Sequence, residues 1–279
     1  MSVAERIAEA GESLTPAERR VAEVVLASSQ LVAFGTVADL AAAASAGAAT
    51  VVRLAGKLGL DGFTGLQRAV QLELAGQLRP AAERIREPVG DDQVGRHAHV
   101  ETANVASTLG AITAETLDEA VVRLSSARAV GVLTGDASTG VAQQIAADLG
   151  ALRPSVELLS GNEVAVQRAV ALLGPDDAVV AIDLRRYDRW VVDAARRVRD
   201  RGAWMLAVTD SGLSPLAAAA HRAITVSAAG AGPFDSHVGT LALGNLLVAG
   251  VAERLRGTAV ERIDRVEAAW RETGALTDR

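Results

Sequence analysis

The sequence predicts two domains, an all-helical unit followed by an α/β unit built on a parallel sheet. In the first 80 residues, apolar side chains recur with a helical period between turn glycines. A polar stretch that contains Pro80, Pro88, Gly90 and Gly95 follows. Beyond it, short apolar runs alternate with helical segments, which is typical of a parallel sheet covered on both faces. We therefore expect a helical domain at 1–80, a linker at 81–104, an α/β domain at 105–257 and a C-terminal helix at 258–279.

The composition excludes several kinds of chemistry. Hydrophobic residues make up 49% of the chain but aromatic residues only 3%, so the core must consist of Ala, Val and Leu. Cysteine is absent, which excludes disulfides, thiolate metal sites and a thiol nucleophile. His97 and His99 have no third ligand nearby, so we expect neither a metal site nor a cofactor. The apolar run "LALGNLLVAGVA" is shorter than the roughly 20 residues that span a bilayer, and we expect a soluble cytoplasmic protein that makes no membrane contact.

The charge is distributed unevenly along the chain. The net charge is −6, so no overall basic field announces a nucleic-acid-binding protein. Residues 1–86 hold equal numbers of basic and acidic side chains, and the remainder therefore carries the whole negative charge. This asymmetry suggests two units with different partners.

The helical domain contains two clear local signals. Thr15, Pro16 and Glu18 occupy the N-cap, N1 and N3 positions of a predicted helix, close to a capping box. Farther on, "GTVADLAAAASAGAATVVRLAGKLGL" predicts two short helices joined by a tight turn around Gly47. That arrangement is a helix-turn-helix pattern.

The second helix of this pattern, expected at 48–58, is the candidate DNA-recognition helix. Helical spacing predicts that Thr50, Arg53 and Lys57 point outward, while the core face is formed by Val51, Leu54 and Leu58. Arginine can read guanine edges in the major groove, whereas threonine and lysine commonly hold phosphates. Lys57 is the only lysine in the chain, and its position on this helix suits a phosphate contact.

The segment "AATVVRLAGKLGLDGF" resembles the RpiR-type helix-turn-helix, in which Ala-Thr-x-x-Arg is followed by Leu-Gly-x-x-Gly-Phe. The matching positions are Ala49, Thr50, Arg53, Leu58, Gly59, Gly62 and Phe63. Ala46 and Gly47 stand where the family has a Val-Ser pair, so one expected phosphate contact is missing. The resemblance implies binding to double-stranded DNA. Because the helical domain has no net charge, a single copy would bind poorly, and we expect a homodimer or homotetramer on paired half-sites, held mainly through the apolar helices at 235–257 of the C-terminal domain. The alternative is a helical bundle that mediates assembly, with Arg53 merely solvated.

The second half carries a further resemblance. In "AVGVLTGDASTGVAQQIAADLGAL" a predicted strand leads through a glycine turn at 135–138 into a helix, whose free amides suit an anion. Later, "TDSGLSPL" at 209–216 opens another helix after a strand. Together these segments resemble the SIS domain, a sugar-phosphate-binding module with a flavodoxin-like parallel sheet. A helix-turn-helix followed by a SIS domain is the architecture of RpiR-family regulators, and it implies a small anionic effector, a phosphorylated sugar or sugar acid.

Ligand residues are carried over from the resemblance position by position. Ser138 matches the serine of the first loop, and Ser236 matches a serine before the helix that closes the site. The second loop of the family reads Ser-x-Ser-Gly-x-Thr, which becomes Asp-Leu-Arg-Arg-Tyr-Asp from Asp183 onward. Alternation along the strand predicts that Asp183 and Arg185 project to one side and Arg186 to the other. We take all three as candidate ligand residues, with Arg185 the better candidate for the pocket.

Two interpretations of this loop stay open. Arg185 and Arg186 either hold an anion through charge-assisted bonds, or pair with Asp183, Asp188 or acids of a neighbouring subunit. For Asp210 we expect a capping role on the helix that follows.

The sequence favours a ligand-responsive transcriptional regulator. Two alternatives are a sugar-phosphate isomerase or deaminase with an appended helical domain, and a purely structural oligomer. Isomerase chemistry needs a general base beside the sugar, and no Glu or His falls at an assignable position, so we expect no catalytic residues.

Overall fold

The computed structural model describes residues 3–27, 29–77, 81–86, 92–212 and 214–275. These residues form two compact units, Met1–Pro88 and Val89–Arg279. The range expected to be linker, 81–104, contains the short helix α7 (Ala81–Ile85) and the first half of α8 (Gln93–Gly110). The division between the units therefore falls within that range.

The N-terminal unit is helical, as the sequence predicted. Its helices are α1 (Val3–Ala10), α2 (Pro16–Ala27), α3 (Ser29–Phe34), α4 (Val37–Ala43), α5 (Ala48–Lys57) and α6 (Gly62–Gln77), with α7 at its end. One core of aliphatic side chains joins α1 to α6, and Leu40, Leu54 and Leu66 are fully buried in it. The predicted capping box is confirmed, because the Thr15 amide donates to Glu18 Oε2 over 2.8 Å and the Glu18 amide donates to Thr15 Oγ1.

The C-terminal unit is built on a five-stranded parallel sheet, in the part of the chain that the structure describes. Its strands are β1 (Val130–Thr134), β2 (Val156–Leu159), β3 (Ala178–Ile182), β4 (Trp204–Thr209) and β5 (Arg222–Thr225), in the order β2-β1-β3-β4-β5. Every residue of β1, β3 and β4 is buried, which explains why these segments read as uninterrupted apolar runs.

Helices cover both faces of the sheet. Ala178, Val180 and Ile182 of β3 pack on one face with α9 (Ala114–Ser126), α10 (Thr139–Leu152) and α14 (Val238–Arg254). Val179 and Ala181 pack on the other face with α11 (Glu163–Ala171), α12 (Arg189–Asp200) and α13 (Pro215–Ala219). The predicted α/β domain with a doubly covered parallel sheet is therefore confirmed.

The strand order fixes where a ligand crevice forms. β1 and β3 are neighbours at the centre, and the chain leaves β1 through α10 and β3 through α12, which lie on opposite faces. Such a switch point opens a crevice at the carboxyl ends of the two strands. The loops after β1 and β3 meet at this carboxyl edge, which holds the candidate ligand site.

Glycines allow α14 to approach its neighbours closely beside the carboxyl edge. A Cβ on Gly244 would lie 2.6 Å from Ile145 Cγ1 of α10, and one on Gly239 would lie 2.5 Å from Thr108 Oγ1 of α8. Neither distance leaves room for a side chain, so α14 is held tightly between α8 and α10.

Two pairs of helices are joined by sharp bends. The angle is 97° between α4 and α5, and 104° between α14 and α15 (Arg256–Thr273). Within the described ranges, no single helix is long and apolar enough to cross a membrane, although each bent pair passes that test by length and composition when its two helices are taken together.

Candidate functional site

The recognition helix α5 presents fewer polar groups than its sequence predicted. Thr50 is buried, with 7% of its surface exposed, so the prediction that it points outward is wrong. Its hydroxyl accepts a hydrogen bond of 3.0 Å from Nη2 of Arg53, one turn later. Thr50 therefore orients Arg53, which is itself exposed.

Lys57 joins α5 to α2. Its Nζ lies 2.8 Å from Oε2 of the buried Glu18 and 2.7 Å from the Ser13 carbonyl. The hydrogen bond from Lys57 and the amide of Thr15 lower the pKa of Glu18 to about 2. The lysine that we expected to contact phosphate thus already has an anionic partner within the fold.

The exposed face of α5 is otherwise small and apolar. Beside Arg53 it presents Ala49 and Val52, and Val52 is 47% exposed. Sequence reasoning missed Val52, although its place between the core positions Val51 and Leu54 marks it as outward-facing. Aliphatic groups of this kind contact thymine methyls in the major groove.

At the carboxyl edge of the sheet, the loop after β1 already holds a carboxylate. This loop forms a 3-10 turn, Asp136–Ser138, that leads directly into α10. The amide of Asp136, in this turn, donates to Oδ2 of Asp188 over 3.2 Å, just before the helix N-terminus whose amides we expected to suit an anion. A Cβ on Gly135 would lie 2.1 Å from the same oxygen, so only glycine permits this approach.

The loop after β3 does not continue the strand. β3 ends at Ile182, and Arg185 has a φ of 57°. The amide of Arg186 donates to the Leu184 carbonyl over 2.7 Å, which closes a γ-turn around Arg185. The prediction that side chains alternate through Arg185 and Arg186 is therefore wrong, because alternation requires extended backbone.

Arg185 has partners within its own domain. Its Nη1 lies 2.6 Å from Asp235 Oδ1, and its Nη2 donates to the Ala228 carbonyl over 3.1 Å. The Arg185 side chain is 9% exposed, whereas the neighbouring Arg186 is an exposed residue. Among our two interpretations the geometry favours the pairing one, but the partner is Asp235, which we had not named.

Asp183 is a buried acid beneath this loop. Only 4% of its surface is exposed, and its Oδ2 accepts the Asp188 amide over 2.8 Å. Burial, together with the nearby charges of Asp188 and Asp210, raises the pKa of Asp183 to about 7. The side chain that we expected to face a ligand instead fixes the start of α12.

Asp210 holds the same loop from the end of β4. Its Oδ1 accepts the Arg185 amide over 2.9 Å and the Tyr187 hydroxyl over 2.8 Å. Burial and the charge of Asp210 raise the pKa of Tyr187, which keeps the hydroxyl a donor. The helix cap that we expected from Asp210 is supplied by Ser214, whose side chain accepts the Ala217 amide.

A segment before α14 connects the loop to α8, and we call residues 228–237 the bridging segment. Arg185 donates to the Ala228 carbonyl at the start of this segment and forms an ion pair with Asp235 near its end. Ser236 donates its hydroxyl to Glu101 of α8, and Asn104 of α8 donates to the Ala229 carbonyl over 2.8 Å. Ser236, expected to bind ligand, thus contacts α8.

Polar atoms without partners lie beside the loop after β1. Ser138 is buried and its side chain makes no cap hydrogen bond. Among the described residues, Nδ1 of His237 and the fully buried hydroxyl of Thr240 also have no partner. Burial lowers the pKa of His237, although a hydrogen bond with the backbone of Ala137 and the negative charge of Asp235 act to raise it. Thr240 lies one turn before Gly244, on the face of α14 that packs against α10.

Asp183→Asn will reduce the pH dependence of stability. A folded-state pKa of about 7 against the ordinary 3.8 means that, between these two pH values, the acid takes up a proton on folding. Its contribution is fully present below pH 3.8 and is lost as the pH rises to 7, by up to about 4 kcal/mol. Asparagine can still accept the Asp188 amide. Urea unfolding should therefore show that the free energy of unfolding falls less between pH 5 and pH 8 in the variant than in the wild type. Equal losses in the two proteins would show that Asp183 is not protonated in the fold.

Arg185→Ala will destabilise the ligand-free protein, whereas Arg186→Ala will not. The first change removes the guanidinium from Asp235 and from the Ala228 carbonyl, which costs about 2–4 kcal/mol. The second removes an exposed arginine from the adjacent position, with an expected change within about 0.5 kcal/mol. Thermal and urea unfolding measure both, and equal stability of the two variants would refute a structural role for Arg185.

Comparisons with known proteins agree with this architecture. The helix-turn-helix domain model of the rpiR family matches residues 1–77, and the SIS domain model matches residues 123–250. HexR of Pseudomonas aeruginosa, an HTH-type transcriptional regulator, is 30% identical over 210 residues, which are 75% of this chain and 73% of HexR.

Two solved structures share the fold. The sugar isomerase domain of an RpiR transcription factor from Sphaerobacter thermophilus is 28% identical, with a TM-score of 0.61, over 63% of this chain and 99% of that one. The Vibrio vulnificus NanR protein complexed with ManNAc-6P is 20% identical, also with a TM-score of 0.61, over 99% of this chain and 100% of that one. The order of the two matched domains and the identity with HexR show that this chain belongs to the RpiR family of DNA-binding transcriptional regulators.

Proposed function

We propose that this regulator binds paired DNA half-sites through α5 and changes its DNA affinity when a small carbohydrate derivative binds at the carboxyl edge of the SIS domain. The observation that carries the DNA half is the exposed Arg53, which is held by Thr50 on the second helix of a helix-turn-helix. A single arginine beside small apolar groups gives little affinity to one copy of α5. The rest of the DNA affinity comes from binding two half-sites at once, which requires a homodimer or homotetramer.

On this proposal the three candidate residues of α5 have different roles. Arg53 reads a base edge, and Thr50 holds it in place over 3.0 Å. Lys57 sets the position of α5 through Glu18, and because its side chain is 36% exposed it also adds positive charge beside the DNA.

The proposal that an effector binds is supported by the membership of the RpiR family and by the switch point between β1 and β3. The NanR neighbour was solved with a sugar phosphate, which supports a carbohydrate derivative, and the resemblance names a phosphorylated sugar or sugar acid as the class. Ser138 and Arg186 remain candidate direct contacts, whereas Asp183, Arg185 and Ser236 act through the bonds that shape the loops.

The bridging segment provides a route from effector to DNA. Arg185 ties the loop after β3 to this segment, which is bonded in turn to Glu101 and Asn104 of α8. Along the chain, α8 is the first helix after the boundary between the two units. We propose that an effector touching the loop shifts the bridging segment and α8 together, and that this shift changes DNA affinity.

An enzyme is the second candidate, and one observation favours it. A carboxyl with a pKa of about 7 in a crevice is suited to general-base catalysis. The oxygen of Asp183 that accepts the Asp188 amide is buried beneath the loop, however, and is not open to a substrate. We therefore propose a sensor without catalytic activity.

Arg53→Ala will weaken binding to the preferred DNA sequence by about 1–3 kcal/mol and relax base preference at one position in each half-site. The preferred sequence is found by selecting bound fragments from genomic DNA at physiological salt. Arg96→Ala is the matched control, because it removes the same charge from an exposed position in the C-terminal unit. If the wild type shows no sequence preference, the regulator proposal fails for this chain, and if both variants weaken binding equally, Arg53 contributes charge alone.

A further inference from the structure

The carboxyl edge places a carboxylate where an incoming anion would bind. The amide of Asp136 lies in the turn that leads into α10, and Asp188 Oδ2 accepts its hydrogen bond over 3.2 Å. Asp188 is held there from its own backbone, because its amide donates to Asp183 over 2.8 Å. When the loop from Asp183 onward is aligned with the SIS-family pattern Ser-x-Ser-Gly-x-Thr, Asp188 stands at the position of the threonine. A neutral donor is thus replaced by a fixed anion.

The buried charges at this edge do not compensate an added phosphate. Asp210 lies at the same loop and accepts the Arg185 amide, while the Arg185 guanidinium faces Asp235. A phosphate dianion at the Asp136 amide would have to displace one carboxylate and approach another without a buried cation assigned to it. Like charges brought close together repel each other, and the carboxylates of Asp188 and Asp210 are partly buried, so both would disfavour a phosphate at this position.

Other groups at this edge suit uncharged hydroxyls. The side chains of Ser138, His237 and Thr240 offer polar atoms without assigned partners on the α10 and α14 side. The carboxylates of Asp188 and Asp210 accept hydrogen bonds on the other side. A polyhydroxylated ligand donates to carboxylates and accepts from hydroxyls, whereas the dianion of a phosphate monoester can only accept.

We propose that Asp188 is the specificity-determining residue of this sensor, and that it selects a carbohydrate effector that presents hydroxyl groups, not a phosphate, to the Asp136 amide. The inference rests on the proposed function, because it assumes that the carbohydrate binds at this edge. It revises the effector class that the family resemblance implies.

Restoring the family's residue tests the proposal. Titration calorimetry on the full chain compares the wild type with Asp188→Thr and Asp188→Asn, using inorganic phosphate alone as the first probe. Both variants should bind phosphate at least tenfold more tightly than the wild type, which corresponds to about 1.4 kcal/mol. Asp200→Thr, which removes an acid from the exposed end of α12, should leave phosphate binding unchanged and controls for net charge. Unaltered phosphate affinity in both Asp188 variants would overturn the proposal.

A second arm separates this proposal from the proposed function. N-acetylmannosamine and glucose are each compared with their 6-phosphates, and the wild type should bind no phosphorylated sugar more tightly than its parent. Tighter wild-type binding of a 6-phosphate would overturn the inference but support a carbohydrate sensor. If the Asp188 variants gain phosphate binding while a broad panel of sugars, sugar acids and sugar phosphates binds to none of the proteins, Asp188 does exclude phosphate from the Asp136 amide. The carbohydrate-sensor proposal then fails, and the selection of a carbohydrate effector fails with it.

Discussion

One connected set of hydrogen bonds holds the carboxyl edge of the sheet, and the geometry of the candidate site depends on it. The Asp136 amide binds Asp188, and the Asp188 amide binds Asp183. On the other side of the loop, the Arg185 amide binds Asp210 while its guanidinium binds Asp235. Four chain segments that are far apart in sequence are thereby fixed to each other.

This arrangement carries an electrostatic cost that the fold offsets locally. Asp183 is buried, and its raised pKa shows that the charged form is disfavoured there. The N-termini of α10 and α12 point toward the same edge, and their partial positive charge favours Asp188. The acids are therefore structural parts of the loops, and Arg185 is neutralised by Asp235 before any ligand arrives.

Most of the fold could be predicted from the sequence because its signals are local. The buried strands β1, β3 and β4 are continuous apolar runs, and a parallel sheet covered by helices follows from their alternation with helical segments. The start of α2 could be predicted from Thr15, Pro16 and Glu18, because Thr15 and Glu18 bond to each other and Pro16 is the first residue of the helix. The turn before α5 follows from Gly47, which caps that helix without a side-chain bond.

The site could be predicted only in part, because its contacts are long-range. The sequence located the loops, but the partner of Arg185 lies 50 residues away and that of its amide 25 residues away. The positive φ of Arg185 was unexpected, because L-residues other than glycine rarely adopt it. Thr50 was misplaced for a related reason. Its hydroxyl suggested an exposed phosphate contact, whereas a bond from Arg53 satisfies it in a buried position.

We propose that the Asp188 carboxylate occupies the place at the Asp136 amide where an anionic ligand would otherwise bind. The most direct test is a crystal structure of the full chain grown in concentrated inorganic phosphate without any carbohydrate. We predict density for the Asp188 carboxylate on the Asp136 amide, with the Arg185–Asp235 pair intact and no phosphate at that amide. A phosphate bound to the Asp136 amide, with Asp188 turned away from it, would contradict the account.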